Sequence, residues 1–191
     1  MRSRICVCLV AFVLGSEPAL ADPSLLDLSR VAGVAQKHMK MLEDGNALTF
    51  WMTGVVDDAP RLVSRSELAG PCSIRVTTVH QDPPKWGQLT ISTYDFSHVT
   101  DFKAFATMDD LARQSPSLAL ADPQAQTGSL FGKGLACTNF YDLGSEPEPY
   151  AYCEDRVDLT WPQDALSKAE IMTSLAAVAD ACSLPAMKRA L

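Results

Sequence analysis

The chain has 191 residues, with 16 basic and 23 acidic side chains and a formal net charge of −7. That length suits one domain and allows a real buried core. An acidic chain of this kind has no electrostatic pull toward nucleic acid or anionic membrane surfaces, which excludes both as expected partners.

The N-terminus reads MRSRICVCLVAFVLGSEPALA. Arg2 and Arg4 precede an unbroken apolar run from Ile5 to Leu14, and Ala19-Leu20-Ala21 has the small-residue spacing of a signal-peptidase site. The run is about half of the ~20 residues that a spanning helix needs. The expectation is a signal peptide over residues 1–21 and a single mature domain over 22–191. No later stretch is apolar enough to span a bilayer, so the processed chain is expected to be periplasmic or secreted.

The segment Ser24 to Asp44 has the spacing of a helix. Leu28, Val31, Ala35, Met39 and Leu42 recur at three- and four-residue steps, and Gly45 follows as a left-handed cap. Leu48 to Val56 is rich in β-branched and aromatic residues and predicts a strand. Asp57 to Pro71 reads as loop, with one helical turn near Arg65 to Leu68. Cys72–His80 and Gln88–Phe96 alternate apolar and polar residues, joined by a connector rich in proline and glycine. They predict a hairpin with one wet face.

Asp101 is placed to cap a helix running to about Gln114, with Phe105 and Met108 on its buried side. Ser115 to Thr127 reads as loop. Leu130–Asp142 and Pro149–Trp161 predict a second hairpin. Ser167-Lys168-Ala169-Glu170 is a capping box that opens a helix to Cys182, with Ile171, Leu175, Val178 and Ala179 on one stripe. Pro185 marks its end. The expected class is α+β: an antiparallel sheet of two hairpins packed against helices and stapled by two disulfides.

Cys72, Cys137, Cys153 and Cys182 remain after cleavage of the leader. An even count in an exported chain points to disulfides. None of the four has a second cysteine at the C-x₂₋₄-C spacing of structural zinc or the C-x-x-C spacing of redox sites, so neither a metal nor a cofactor is expected. A hairpin centred near Ser145 sets Cys137 opposite Cys153, close enough to bond. Closing that loop contributes about 3 kcal/mol in the chain-entropy description. The same reading joins Cys72, at the start of the first hairpin, to Cys182 on the apolar face of the last helix. The rival set joins Cys72 to Cys137 and Cys153 to Cys182.

The three histidines, His38, His80 and His98, have no partners at metal spacing. Asp95, Ser97 and His98 hold the residue types of a hydrolytic triad, but such triads are assembled from distant segments, and there is no G-x-S-x-G elbow. Ser97 or Asp101 is expected to act as a helix cap instead. Asp57-Asp58 and Asp109-Asp110 lack the spaced ligands of a calcium loop. Trp51 and Trp161, in apolar segments, are expected in the core. Trp86, in a proline-flanked connector, and Glu146 and Glu148, in a stiff acidic loop, are the candidate contact residues.

The function these features favour is an exported, non-catalytic binding module for a protein or small ligand. The alternatives are a periplasmic hydrolase using His98 or His80 with a distant carboxylate, and an envelope-associated structural subunit.

Overall fold

The computed structural model describes residues 23–35, 39–53, 60–82, 86–107, 126–142, 149–161 and 168–191. Helix α1 spans Leu25–Val31, and eight strands follow: β1 Lys40–Asp44, β2 Ala47–Thr53, β3 Pro60–Gly70, β4 Ser73–Asp82, β5 Trp86–Asp95, β6 Asp101–Thr107, β7 Gln126–Asp142 and β8 Tyr150–Trp161. A 3₁₀ turn, Phe96–His98, separates β5 from β6. The chain closes with α2 Lys168–Ala181 and α3 Pro185–Ala190. The protein is thus mostly antiparallel sheet with a few helices, and the sheet is larger than two hairpins.

Strands β1 to β5 form a continuous antiparallel meander. Strand β7 then serves as a spine. One of its edges pairs with β5 from Ala136 to Asp142 and with β6 from Gln126 to Phe131. Its other edge pairs with β8. The β7–β8 register shifts between Phe131 and Ala136, where Gly134 takes φ +61° and its N–H donates to Asp155 Oδ1 at 2.7 Å. The adjoining Gly132 lies so close to the 3₁₀ turn that a Cβ there would sit 2.0 Å from the carbonyl oxygen of His98. This irregularity, typical of a bulge, lets one strand serve two partners that meet at a corner.

The helices cover one face of the sheet. Leu28 and Val31 of α1, Ile171, Leu175 and Val178 of α2, and Met187 of α3 are buried against Ile74, Val76, Phe96, Phe102, Leu130 and Leu135. Each fully buried side chain of this size contributes about 1.5–3 kcal/mol. A smaller cluster, Ala35, Leu48 and Phe50, continues the core under α1. Ser24 caps α1 by accepting from the Asp27 N–H, and Asp27 Oδ1 accepts from Ser174 Oγ of α2 at 2.7 Å. Cys72 and Cys182 are joined as a disulfide with Cα atoms 5.7 Å apart, tying the end of α2 to the start of β4. Cys137 and Cys153 are joined across β7 and β8, 4.0 Å apart at Cα.

Several expectations are corrected. The helix over Ser24 to Asp44 ends at Val31, and Lys40–Asp44 is an edge strand. Gly45 (φ +60°) is the first residue of a two-residue hairpin turn, not a helix cap. The expected loop before Cys72 contains β3. Asp101–Thr107 is a strand, not the first half of a helix; residues 108–125 lie outside the described set. Pro185 opens a short helix after Ser183 turns the chain with φ 54°.

The alternation of strands places Trp51 on the face away from the helices. There it heads a half-buried row across five strands: Trp51, Val63, Val79, Leu89 and Tyr141. That face is therefore not uniformly wet, and Trp51 lies outside the helix-covered core. The side chain of Trp161 lies outside the described set. No helix among the described residues is long and apolar enough to cross a membrane.

Candidate functional site

The register of β7 with β8 sets Phe140 opposite Tyr150 and Thr138 opposite Tyr152, all on the helix-bearing face. Because strand side chains alternate, Tyr150 and Tyr152 share that face with one residue between them. The rings stack in sequence. Phe140 and Tyr150 have centroids 4.9 Å apart, and Tyr150 and Tyr152 have centroids 6.0 Å apart at 22°. These are separations at which aromatic pairs attract. Tyr150 and Tyr152 are nevertheless 54% and 43% exposed, so the ladder offers its surface to solvent.

A second, more buried aromatic pair lies on the same face. Tyr94 faces Ala136, which faces Glu154, and Tyr94 stacks with the buried Phe96 at 6.4 Å. Burial pushes the Tyr94 phenol above its ordinary range, and the negative charges of Glu154 and ionised Tyr152 add to that push. A hydrogen bond from Ser92 opposes it. Two stacked groups thus share this face, Phe96 with Tyr94 at the core and Phe140 with Tyr150 and Tyr152 at the exposed edge.

Rigidity comes from the other face. Cys137 and Cys153 lie directly opposite each other, and their bond locks the register that brings the rings together. Among the described strands, β8 pairs only with β7, and residues 150–155 are all exposed. Aromatics held by a cross-linked strand lose little conformational freedom on binding.

The histidine turn has a different geometry. Asp95 Oδ1 accepts from the Ser97 N–H at 3.1 Å and from Ser97 Oγ at 2.5 Å. Asp95 Oδ2 lies 3.7 Å from His98 Nε2, and His98 Nδ1 lies 3.4 Å from the Gly134 carbonyl oxygen. In a hydrolytic triad the imidazole stands between the hydroxyl and the carboxylate. Here the carboxylate stands between the hydroxyl and the imidazole, and Asp95 acts as the cap of the 3₁₀ turn. The cap is thus neither Ser97 nor Asp101. His80 is exposed on β4, opposite Leu62 and Gln88. Among the described residues, no group of three His, Cys, Asp or Glu side chains is placed to hold a metal ion.

Of the residues singled out from the sequence, Trp86 starts β5 opposite Asp82, and its side chain lies outside the described set. Glu146 and Glu148 also lie outside it. Topology brings their flanking strands together, since Gln88 of β5 faces Asp142 of β7. The aromatic ladder was missed. Its signal was present in Pro149-Tyr150-Ala151-Tyr152-Cys153, where the tyrosines alternate away from the cysteine, so a hairpin closed at Cys137 and Cys153 sets them beside Phe140. No protein-family model matches this chain, and no curated protein and no solved structure is significantly similar to it.

Proposed function

We propose that the chain is an exported, non-catalytic binding module that takes a protein or small ligand on the Phe140–Tyr150–Tyr152 ladder. The observation that carries this reading is the exposure of two stacked tyrosines on a disulfide-locked strand. Exposed rings of this kind supply contact area at low entropic cost, and such residues dominate binding energy at interfaces. Export is supported by the leader-like N-terminus and by two disulfides, which persist in oxidising compartments. The binding reading is preferred to a hydrolase because Asp95 is engaged as a cap between Ser97 and His98.

The test is a pull-down from an envelope extract of the native host with the processed protein and with a Tyr150→Ala/Tyr152→Ala variant. The expected result is a partner retained by the parent and reduced by about tenfold or more for the variant, with unchanged circular dichroism. Equal capture by both proteins would remove the ladder from the proposal.

A further inference from the structure

Among the described strands, β1 ends the sheet at the edge opposite β8 and pairs only with β2. The two-residue turn makes Asp44 and Ala47 a hydrogen-bonded pair, and the alternation then runs along the strand. Lys40, Leu42 and Asp44 direct their backbone groups to β2. Met41 and Glu43 direct theirs outward, where no described strand receives them. All five residues are exposed, and the apolar side chains Met41 and Leu42 are 50% and 56% exposed. Sheet proteins commonly guard such an edge with inward charges, proline or a bulge. This edge has neither proline nor bulge, and its one charge on the helix-bearing face is Glu43, at the mouth of a crevice.

The sequence Lys40-Met41-Leu42-Glu43-Asp44 is complementary to itself when read antiparallel. About a two-fold axis at Leu42, each Lys40 faces Asp44 of the second copy. Each Met41 faces Glu43, and the two leucines face each other. The backbone agrees with this register and rejects a shift by one residue. The outward-facing residues Met41 and Glu43 meet as hydrogen-bonded pairs, while Leu42 meets Leu42 as a non-hydrogen-bonded pair.

A crevice of about 290 Å³ lies beside this edge, on the helix-bearing face. Leu25, Leu26, Met41, Glu43, Leu48 and Leu68 line it. Met41 of the second copy, opposite Glu43, stands on the same face as the crevice.

We propose that β1 is a homodimerisation edge, on which a second copy of this chain adds its own β1 antiparallel about Leu42. The two sheets then join into one, and the exposed Met41 and Leu42 are covered. The inference is independent of the aromatic ladder, which lies at the far edge.

The test uses the oxidised, purified protein in a Cys6→Ser/Cys8→Ser background, where an added thiol is the only free one. Sedimentation should show a concentration-dependent dimer. Lys40→Asp sets like charges opposite each other twice and should weaken dimerisation by about tenfold. Adding Asp44→Lys recreates the complementary pairs and should restore it. Met41→Pro removes an outward N–H and should also weaken dimerisation. Under oxidation Leu42→Cys should give a covalent dimer, because Cα atoms of such a pair lie about 4.5 Å apart. Lys40→Cys, far from its symmetry mate, should not.

A monomer at every concentration overturns the proposal. So does a dimer indifferent to the Lys40→Asp change, or equal cross-linking by Lys40→Cys and Leu42→Cys.

Discussion

Cys72 and Cys182 are joined across 110 residues of chain, and their bond fixes the last turn of α2 to the first residues of the central hairpin. Cys137 and Cys153, only 16 residues apart, clamp two strands that already face each other. The two bonds therefore do different work. The first holds a layer to a layer, and the second holds a register.

This difference predicts unequal losses. In the chain-entropy limit the long loop is worth about 4–5 kcal/mol and the short one about 3 kcal/mol. Replacing Cys72 and Cys182 by serine should lower Tm more than replacing Cys137 and Cys153. Thermal denaturation of the two double variants, with a chelator present throughout, checks the order. Equal losses would mean that α2 is held by packing alone.

The bulge in β7 predicts a contrast between neighbouring glycines. Gly132→Ala drives a Cβ into the backbone of His98, where no side chain can move aside. It should cost at least 2–3 kcal/mol, about the scale of overpacking a core. Gly134→Ala meets nothing within 4 Å, but it takes φ +61° and should cost only about 1 kcal/mol. Urea denaturation of the two variants separates them.

Buried hydroxyls on β3 make the third test. Ser64 is buried and bonded to Thr78 at 2.9 Å, whereas the Oγ of the fully buried Ser66 has no hydrogen-bond partner among the described residues. An unpaired buried hydroxyl destabilises, so Ser66→Ala should be neutral or stabilising by up to about 1 kcal/mol. Ser64→Ala leaves Thr78 without its partner and should cost about 1 kcal/mol. Denaturation midpoints should move in opposite directions or differ by that margin.

Tyr94 gives a pH dependence. Its folded pKa is raised above the ordinary 10.0, chiefly by burial and then by Glu154 and Tyr152. In the unfolded chain the phenol loses its proton first, so the unfolded state binds fewer protons above pH 10. Stability from this group is complete below pH 10 and falls as pH rises through the folded pKa. Tyr94→Phe should flatten that alkaline decline. An ultraviolet difference titration should show the Tyr94 phenol ionising above pH 10, and earlier in Glu154→Gln.

Both long hairpins were legible because alternation and turn residues agreed there. Ile74 and Val76 face the core while Arg75 faces out, and proline and glycine mark the connector. Strand β3 was hidden by inverted polarity. Its buried positions are Ser64 and Ser66, and its less buried ones include Arg65 and Glu67, so no apolar face showed. Strand β1 was hidden for another reason. An exposed edge has no burial pattern, and Met39 and Leu42 happen to extend the helical spacing of α1. At β6 the three-residue step from Phe105 to Met108 imitated a helix face. Of the site, Trp86, Glu146 and Glu148 were chosen for their connectors, while the rings at 140, 150 and 152 needed the β7–β8 register before they became neighbours.

The contact between Asp27 and Ser174 has a consequence for how the chain comes together. One flank of α1 packs on the sheet and the other on α2, so the second stays uncovered until residues near 175 exist. The meander β1 to β5 can zip from local turns, but closure awaits partners more than a hundred positions downstream. Such distant closure slows folding, and it keeps a newly made chain open until α2 has been synthesised.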